Sequence, residues 1–268
     1  DNGQSDQRSR RENVRIGQNR SSEARGGVSR LYCGVGRPVI VWHAGEAMEI
    51  GVERSARAKR VRLKIDRMNR RAVLVLPART AEKTGLGFAQ SKAEWIAAQL
   101  ASLPAPKVFC DGMFFSFLGE DVVLHHSPNA KRGVWQSGGV IWVSGQSEYL
   151  PRRVADFLKR KFRSYAQAKV LEIAAALQVK PTKVAVRDTV SRWGSCSRAG
   201  HISLSWRLGF APLYVADYVI AHEVSHLKQM NHSPAFWKTV ADVYPEFAAA
   251  ERWLKKNAAY LYSFTTAL

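Results

Sequence analysis

Cysteine is scarce in this 268-residue sequence, which holds only Cys33, Cys110 and Cys196. So few, so scattered, exclude a disulfide framework and a thiolate zinc cluster. Acidic residues are also short: 22 Asp and Glu stand against 41 Lys and Arg, a formal net charge of +19. No apolar run reaches the roughly 18 residues that span a bilayer. The most apolar stretch, 208–221, is broken by Pro212 and Asp217, so no membrane association through a span is expected. Residues 1–30 lack the apolar core of a secretory signal. Together with the low cysteine content, this fits a cytoplasmic protein.

What is present reads as globular. Hydrophobic residues make up 46% and charged residues 24%, which excludes wholesale disorder. A chain of this size buries roughly three quarters of its unfolded surface and needs no disulfides. The basic excess is concentrated. Residues 54–71 carry nine Lys or Arg against Asp66, and residues 152–169 carry seven against Asp156. Solvated faces of a strand and a helix account for such runs. As functional surfaces they are candidate contacts for nucleic acid or a nucleotide.

Composition and periodicity divide the chain into three parts. Residues 1–37 are rich in Arg, Ser, Asn, Gln and Gly and read as a disordered basic tail. Residues 38–145 read as a small α+β domain with mostly antiparallel pairing. Its strands are expected at 38–43, 47–52, 61–65 and 72–76, then at 113–118, 122–125, 133–135 and 140–143. A helical region lies between the two groups, from a Thr80 cap to about Leu100, divided at Gly85 and Gly87. Residues 146–268 change character. They predict a long helix over 148–179, a strand at 183–187 and a hairpin of 195–197 with 201–205. Helices follow at 212–230, from a Ser233 cap with Pro234 at its first position, and at 246–260. No internal repeat is apparent.

The chemistry concentrates in the helix over 212–230. His222-Glu223-Val224-Ser225-His226 is an H-E-x-x-H segment, with His232 six residues on. Residues i and i+4 share a helix face one turn apart. Two imidazoles so placed can hold one zinc ion, and Glu223 beside them can take a proton from water without being a ligand. Leu213, Ala216, Ile220, Val224 and Leu227 form an apolar stripe on the opposite side, so the histidines are expected to face a cleft. A continued helix would carry His232 about 9 Å along the axis from His226. A reversal is therefore required, and Asn231 suits a left-handed position. The alternative third ligands are Asp242, Glu246 and Glu251. Three protein ligands leave a corner open, as in catalytic rather than structural zinc sites. Cys196 could close it, or be a buried inert thiol.

The segment from Arg187 to Trp237 carries Arg192-Trp193-Gly194-Ser195-Cys196, Ala221 to His226 and Asn231 to Trp237. It resembles the YgjP-like metallopeptidase family, relatives of SprT among the zincins. The similarity runs from about Val52 to Tyr260. The resemblance implies a zincin-like catalytic domain with His222, His226 and His232 as ligands of one zinc ion. It implies Glu223 as catalytic acid/base and a peptide or protein substrate. A metzincin-like pattern would need Gly at the position of Gln229. Arg192, Trp193 and Tyr218 are candidates for substrate contact. An exposed strand edge at 187–197 or 201–205 would align a peptide. Two other readings stand beside a zinc metallopeptidase. One is a metal-dependent hydrolase of nucleotide phosphoanhydrides. The other is a nucleic-acid-associated module with a structural zinc.

Overall fold

Alternating apolar residues build the first sheet from two hairpins. β1 (Gly36–His43) and β2 (Glu46–Ser55) pair antiparallel around Ala44-Gly45, both at positive φ (49° and 84°). That is the turn geometry whose twist matches its flanking strands. β3 (Arg62–Asp66) and β4 (Arg71–Pro77) form the second hairpin. The computed structural model describes residues 36–189 and 192–266. The predicted tail therefore lies outside the described residues, except that residues 36 and 37 open β1.

The sheet runs β1-β2-β4-β3, and its central pair is parallel, with Gly51 opposite Val73. The expected, mostly antiparallel pairing holds within both hairpins, and the pair that joins them is parallel. Period-two alternation specifies which face of a strand is buried, not which strand lies beside it. α1 (Glu82–Gln90) and α2 (Ala93–Ala101) cover one face. Thr80 does not cap α1, whose N-cap is Ala81 with no side-chain bond. The break falls at Ser91 and Lys92 rather than at Gly85 and Gly87. Gly85 serves packing instead: a Cβ there would lie 2.3 Å from Leu76 Cδ2. Val41, Ile50, Leu74, Leu76, Ala89 and Ile96 fill this first core.

β5 (Lys107–Val108) leads to a second sheet of β6 (Phe114–Phe117), β7 (Glu120–His126), β8 (Val134–Ser137) and β9 (Val140–Val143). Its order is β6-β7-β9-β8, two antiparallel hairpins joined by a parallel β7–β9 pair. The arrangement repeats that of the first sheet although the sequence shows no repeat. Phe115, Phe117, Val122, Leu124, Ile141 and Val143 point inward, into a second core shared with α3 (Leu150–Ala176). The two cores part between Ile96 and Phe109. Strands 114–143, grouped with the first sheet by sequence, thus pack with the helices that follow. The described residues as a whole form one compact unit.

β10 (Lys183–Arg187), β11 (Gly194–Cys196) and β12 (His201–Ser205) form a three-stranded sheet ordered β10-β12-β11. β12 lies parallel to β10 and antiparallel to β11. A 3₁₀ turn at Trp206–Phe210 leads to α4 (Leu213–Ser225), α5 (Pro234–Val243) and α6 (Phe247–Ser263). β13 (Phe264–Thr265) then returns to pair in parallel with β5. Phe210 and Phe264 stack with centroids 3.8 Å apart, and Phe109, Phe115 and Tyr260 pack around Phe264. Arg207 is buried at this junction. Its Nε donates to Asp188 Oδ1 at 3.0 Å, and its Nη1 donates to the carbonyls of Leu261 (3.3 Å) and Phe264. A buried guanidinium is tolerated only when paired and hydrogen-bonded in this way. Among the described residues no helix is long and apolar enough to cross a membrane.

Candidate metal centre

α4 is apolar on nearly every side and runs through the second core, with Val215, Ala216, Val219, Ile220 and Val224 buried. The expected single stripe is therefore incomplete, and Leu213 at its start is exposed. The helix ends at Ser225, short of the expected Met230. Ser225 Oγ donates back to the Ala221 carbonyl at 2.7 Å. Leu227 N then donates to Val224 O, and Lys228 N and Gln229 N both donate to Ser225 O. This tight turn starts the reversal at His226. Asn231 is not among the residues with positive φ. It accepts a bond from Ser233 N through Oδ1 at 3.3 Å. Ser233 caps α5 by accepting from Phe236 N, with Pro234 behind it, as the sequence predicts.

The reversal carries His232 back over α4. A ligating nitrogen from each of His222, His226 and His232 falls within 4.8 Å of the others. His222 Nε2 and His232 Nε2 are 3.1 Å apart. Nitrogens held tetrahedrally at 2.0–2.1 Å from one zinc ion stand about 3.3 Å from each other, and the His222–His232 pair matches that spacing. Phe236 is the floor beneath the cluster, with ring centroids 4.9, 4.5 and 4.8 Å from those of His222, His226 and His232. His226 Nδ1 lies 3.0 Å from the Gln229 carbonyl oxygen. A carbonyl only accepts, so Nδ1 carries the proton and Nε2 keeps its lone pair for a metal. His222 Nδ1 is buried without a partner. Burial holds the His222 imidazole down to about 4, and it also lowers His226. Both rings are thus neutral donors, the form a metal requires.

Glu223 follows His222 on α4 and packs on β11. Its carboxyl is buried against the backbone of Gly194 on β11, where an added Cβ would sit 2.5 Å from Cγ and Oε1. Burial pushes its pKa up to about 7, against a smaller lowering by the Arg192 charge. A cleft of about 470 Å³ opens here, bounded by His222, Glu223, Trp193, Tyr218, Val219 and Leu254.

The chain matches the YgjP-like metallopeptidase domain over residues 59–257. It belongs to the YgjP-like family. No curated protein sequence matches it. Among solved structures it is similar to the metallopeptidase zymogens abylysin of Pyrococcus abyssi and jannalysin of Methanocaldococcus jannaschii. Identity to abylysin is 22% over 34% of this chain and 93% of that one, with a TM-score of 0.32. For jannalysin it is 18% over 35% and 96%, also with a TM-score of 0.32.

In this YgjP-like chain the candidate residues divide by position. Trp193 and Tyr218 line the cleft with His222 and Glu223. Trp193 stacks on Tyr262 at 4.7 Å, and Tyr218 meets the His222 ring edge-on at 5.9 Å. Arg192 lines a neighbouring cavity of about 410 Å³ with Arg187 and His201, beyond Gly194. The alternative third ligands Asp242, Glu246 and Glu251 stay outside the imidazole cluster, and so does Cys196. Burial and Glu223 push the Cys196 thiol up to about 11, which keeps it unreactive. β12 is the central strand of its sheet and offers no edge, whereas β11 pairs on one side only. Ser191, just before Arg192, lies outside the described residues, as does Cys33.

The two basic segments differ. In 152–169, Lys161 bonds to Gln136 and to Glu120, Arg153 to the Ser144 carbonyl, and Lys169 to Glu172. In 54–71, the turn after β2 gathers Arg57, Lys59, Arg60 and Arg62 around a cavity of about 480 Å³ with no carboxylate in its lining. Sequence reasoning missed Gly194 and Phe236. Gly194 opens β11, one residue ahead of the expected strand at 195–197, and a glycine there is a signal for close approach of another group.

Proposed function

We propose that this protein is a zinc-dependent peptidase in which Glu223 acts as general base and then general acid. The convergence of three imidazoles beside a buried carboxyl supports the reading. His222, His226 and His232 would hold the ion, and three protein ligands leave one position for substrate or solvent. A zinc ion so held would polarise the peptide carbonyl and make a water acidic near neutral pH. Glu223 receives the proton of the attacking water and passes it to the leaving amine nitrogen as the C–N bond breaks. The buried setting raises the carboxyl into the range where it can do both. The open edge of β11 runs beside Glu223, and an extended peptide can add to it by main-chain pairing. Trp193 and Tyr218 then wall its side chains.

The test pairs metal content with product analysis. Purified protein should bind about one zinc per chain and cleave members of a peptide library, with loss of cleavage on chelation. Glu223→Gln should keep the metal and lose hydrolysis by at least about 10²-fold. Hydrolysis that survives in that variant with zinc bound would falsify the role of Glu223. A second surface is supported by the carboxylate-free cavity of Arg57, Lys59, Arg60 and Arg62, which suits the phosphates of a nucleic acid.

A further inference from the structure

Besides its apolar walls and the two residues of the reaction, the cleft is lined by three ionic side chains: Arg67, Glu251 and Lys255. Two of them neutralise each other, since Lys255 Nζ lies 3.1 Å from Glu251 Oε1. The neighbouring carboxylates are also committed. Asp66 accepts from Asn69 N and Nδ2 at 3.1 and 2.8 Å and lies 3.9 Å from Arg71 Nε. Asp188 is held by Arg207. Glu223 is buried on Gly194. Arg67 makes no ion pair among the described residues, so one guanidinium faces the cleft without a counter-charge.

Arg67 comes from the β3–β4 turn of the first sheet, and that turn is fixed in place. Asp66 is tied down on one side of it. On the other, Met68 Sδ lies 3.6 Å from Arg207 Nη2. Arg70, at φ 49°, donates to the carbonyls of Pro104 and, at 3.5 Å, Leu103. The first sheet thereby supplies a wall of a site whose candidate metal ligands all lie on α4 and the reversal after it.

An apolar cleft with an unpaired guanidinium in its lining is a receptor for a carboxylate on an otherwise uncharged arm. We propose that Arg67 makes this cleft selective for peptides bearing a carboxylate near the bond to be cut, either an acidic side chain or a free C-terminus. The proposal rests on the peptidase reading for its substrate, and its test reads binding rather than turnover. The probes are small hydroxamates in which Glu, Leu or Lys follows the metal-binding group, each made with an amidated and a free carboxyl end. Their dissociation constants are measured on the zinc-loaded Glu223→Gln protein, alone and combined with Arg67→Ala or Arg67→Glu.

A carboxylate-bearing probe should bind at least tenfold tighter than Leu-amide. Arg67→Ala should erase that margin while Leu-amide binding stays the same, and Arg67→Glu should favour the Lys-amide probe. Preference for Glu-amide marks a side-chain carboxylate, and preference for Leu with a free end marks a C-terminus. Equal binding of all probes, a margin that persists in Arg67→Ala, or no binding by any probe overturns the proposal. Cleavage of the peptide library by the wild type, read separately, decides the peptidase reading itself.

Discussion

A single methyl group at residue 194 should separate catalysis from metal binding. In Gly194→Ala the new Cβ would stand 2.5 Å from Glu223 Cγ and Oε1 and 2.8 Å from Cδ. Carbon atoms pack at about 3.5–4.0 Å, so something must move by about 1 Å. The three nearest atoms all belong to Glu223, which makes that carboxyl the group displaced. It is buried, and its escape is confined. A 1 Å misplacement of a reacting group lowers turnover by about 10²-fold, or about 2.7 kcal/mol in the barrier. The accompanying overpacking should cost about 1–3 kcal/mol of stability. None of the nearest atoms comes from the imidazoles, so zinc content should stay the same. The assay is kcat/KM on a library-derived peptide, with metal content and Tm measured alongside. Gly209→Ala serves as control, because its Cβ would strike Phe117 at 2.4 Å instead. That variant should lose stability and keep its activity per folded molecule. Full activity in Gly194→Ala would refute the reasoning, as would activity lost only in proportion to zinc.

Further outcomes follow from other parts of the molecule. Zinc at about 100 times its Kd should stabilise the protein by about 2.7 kcal/mol, a Tm rise of roughly 5–10 °C for a domain of this size. His232→Ala should abolish most of that rise in a thermal scan, and a rise unchanged in the variant would remove His232 from the ligand set. Arg207→Met should lose about 3–5 kcal/mol in urea unfolding, because Asp188 and two carbonyls lose a buried partner; a loss under 1 kcal/mol would contradict the pairing. Oligonucleotide binding through Arg57, Lys59, Arg60 and Arg62 should show a log–log salt slope near about −3.6 on duplex DNA, and about one unit less for each of these residues changed to Ala. A slope indifferent to those substitutions would clear the cavity of that role.

Much of this was legible in the sequence where the determining interactions are local. H-E-x-x-H on an apolar helix brings His222 and His226 together through helix geometry alone. Ser233-Pro234 marks the start of α5 through its own cap. The strands near 38–43, 47–52, 61–65 and 72–76 follow from alternation, and β1 to β4 fall within a few residues of them. What failed depends on partners far along the chain. The parallel β2–β4 pair leaves only a coarse trace: the unbroken apolar run of residues 72–76 marks β4 as buried on both faces, without saying which strand lies beside it. Gly85 and Gly87 looked like helix breakers, but Gly85 lies where Leu76 and Leu74 press on α1. The route of His232 was expected through a left-handed Asn231; the chain instead leaves the helix at His226 and bends again at Met230 and Asn231 without positive φ, over the buried Phe236. Arg67 reaches the cleft from the first sheet, and no local signal connects it with residues beyond 190.

The junction of β13 with β5 has a consequence for synthesis on the ribosome. Phe264 fills the gap between Phe109, Phe115 and Phe210, and its carbonyl holds Arg207 just ahead of the helix that bears the H-E-x-x-H residues. Chains fold from the N-terminal side as they emerge, so the first sheet and its helices can settle early. The aromatic plug arrives only after residue 264 has been made. Until then Arg207 lacks that partner, and the segment just ahead of α4 waits on a residue 57 positions further along the chain.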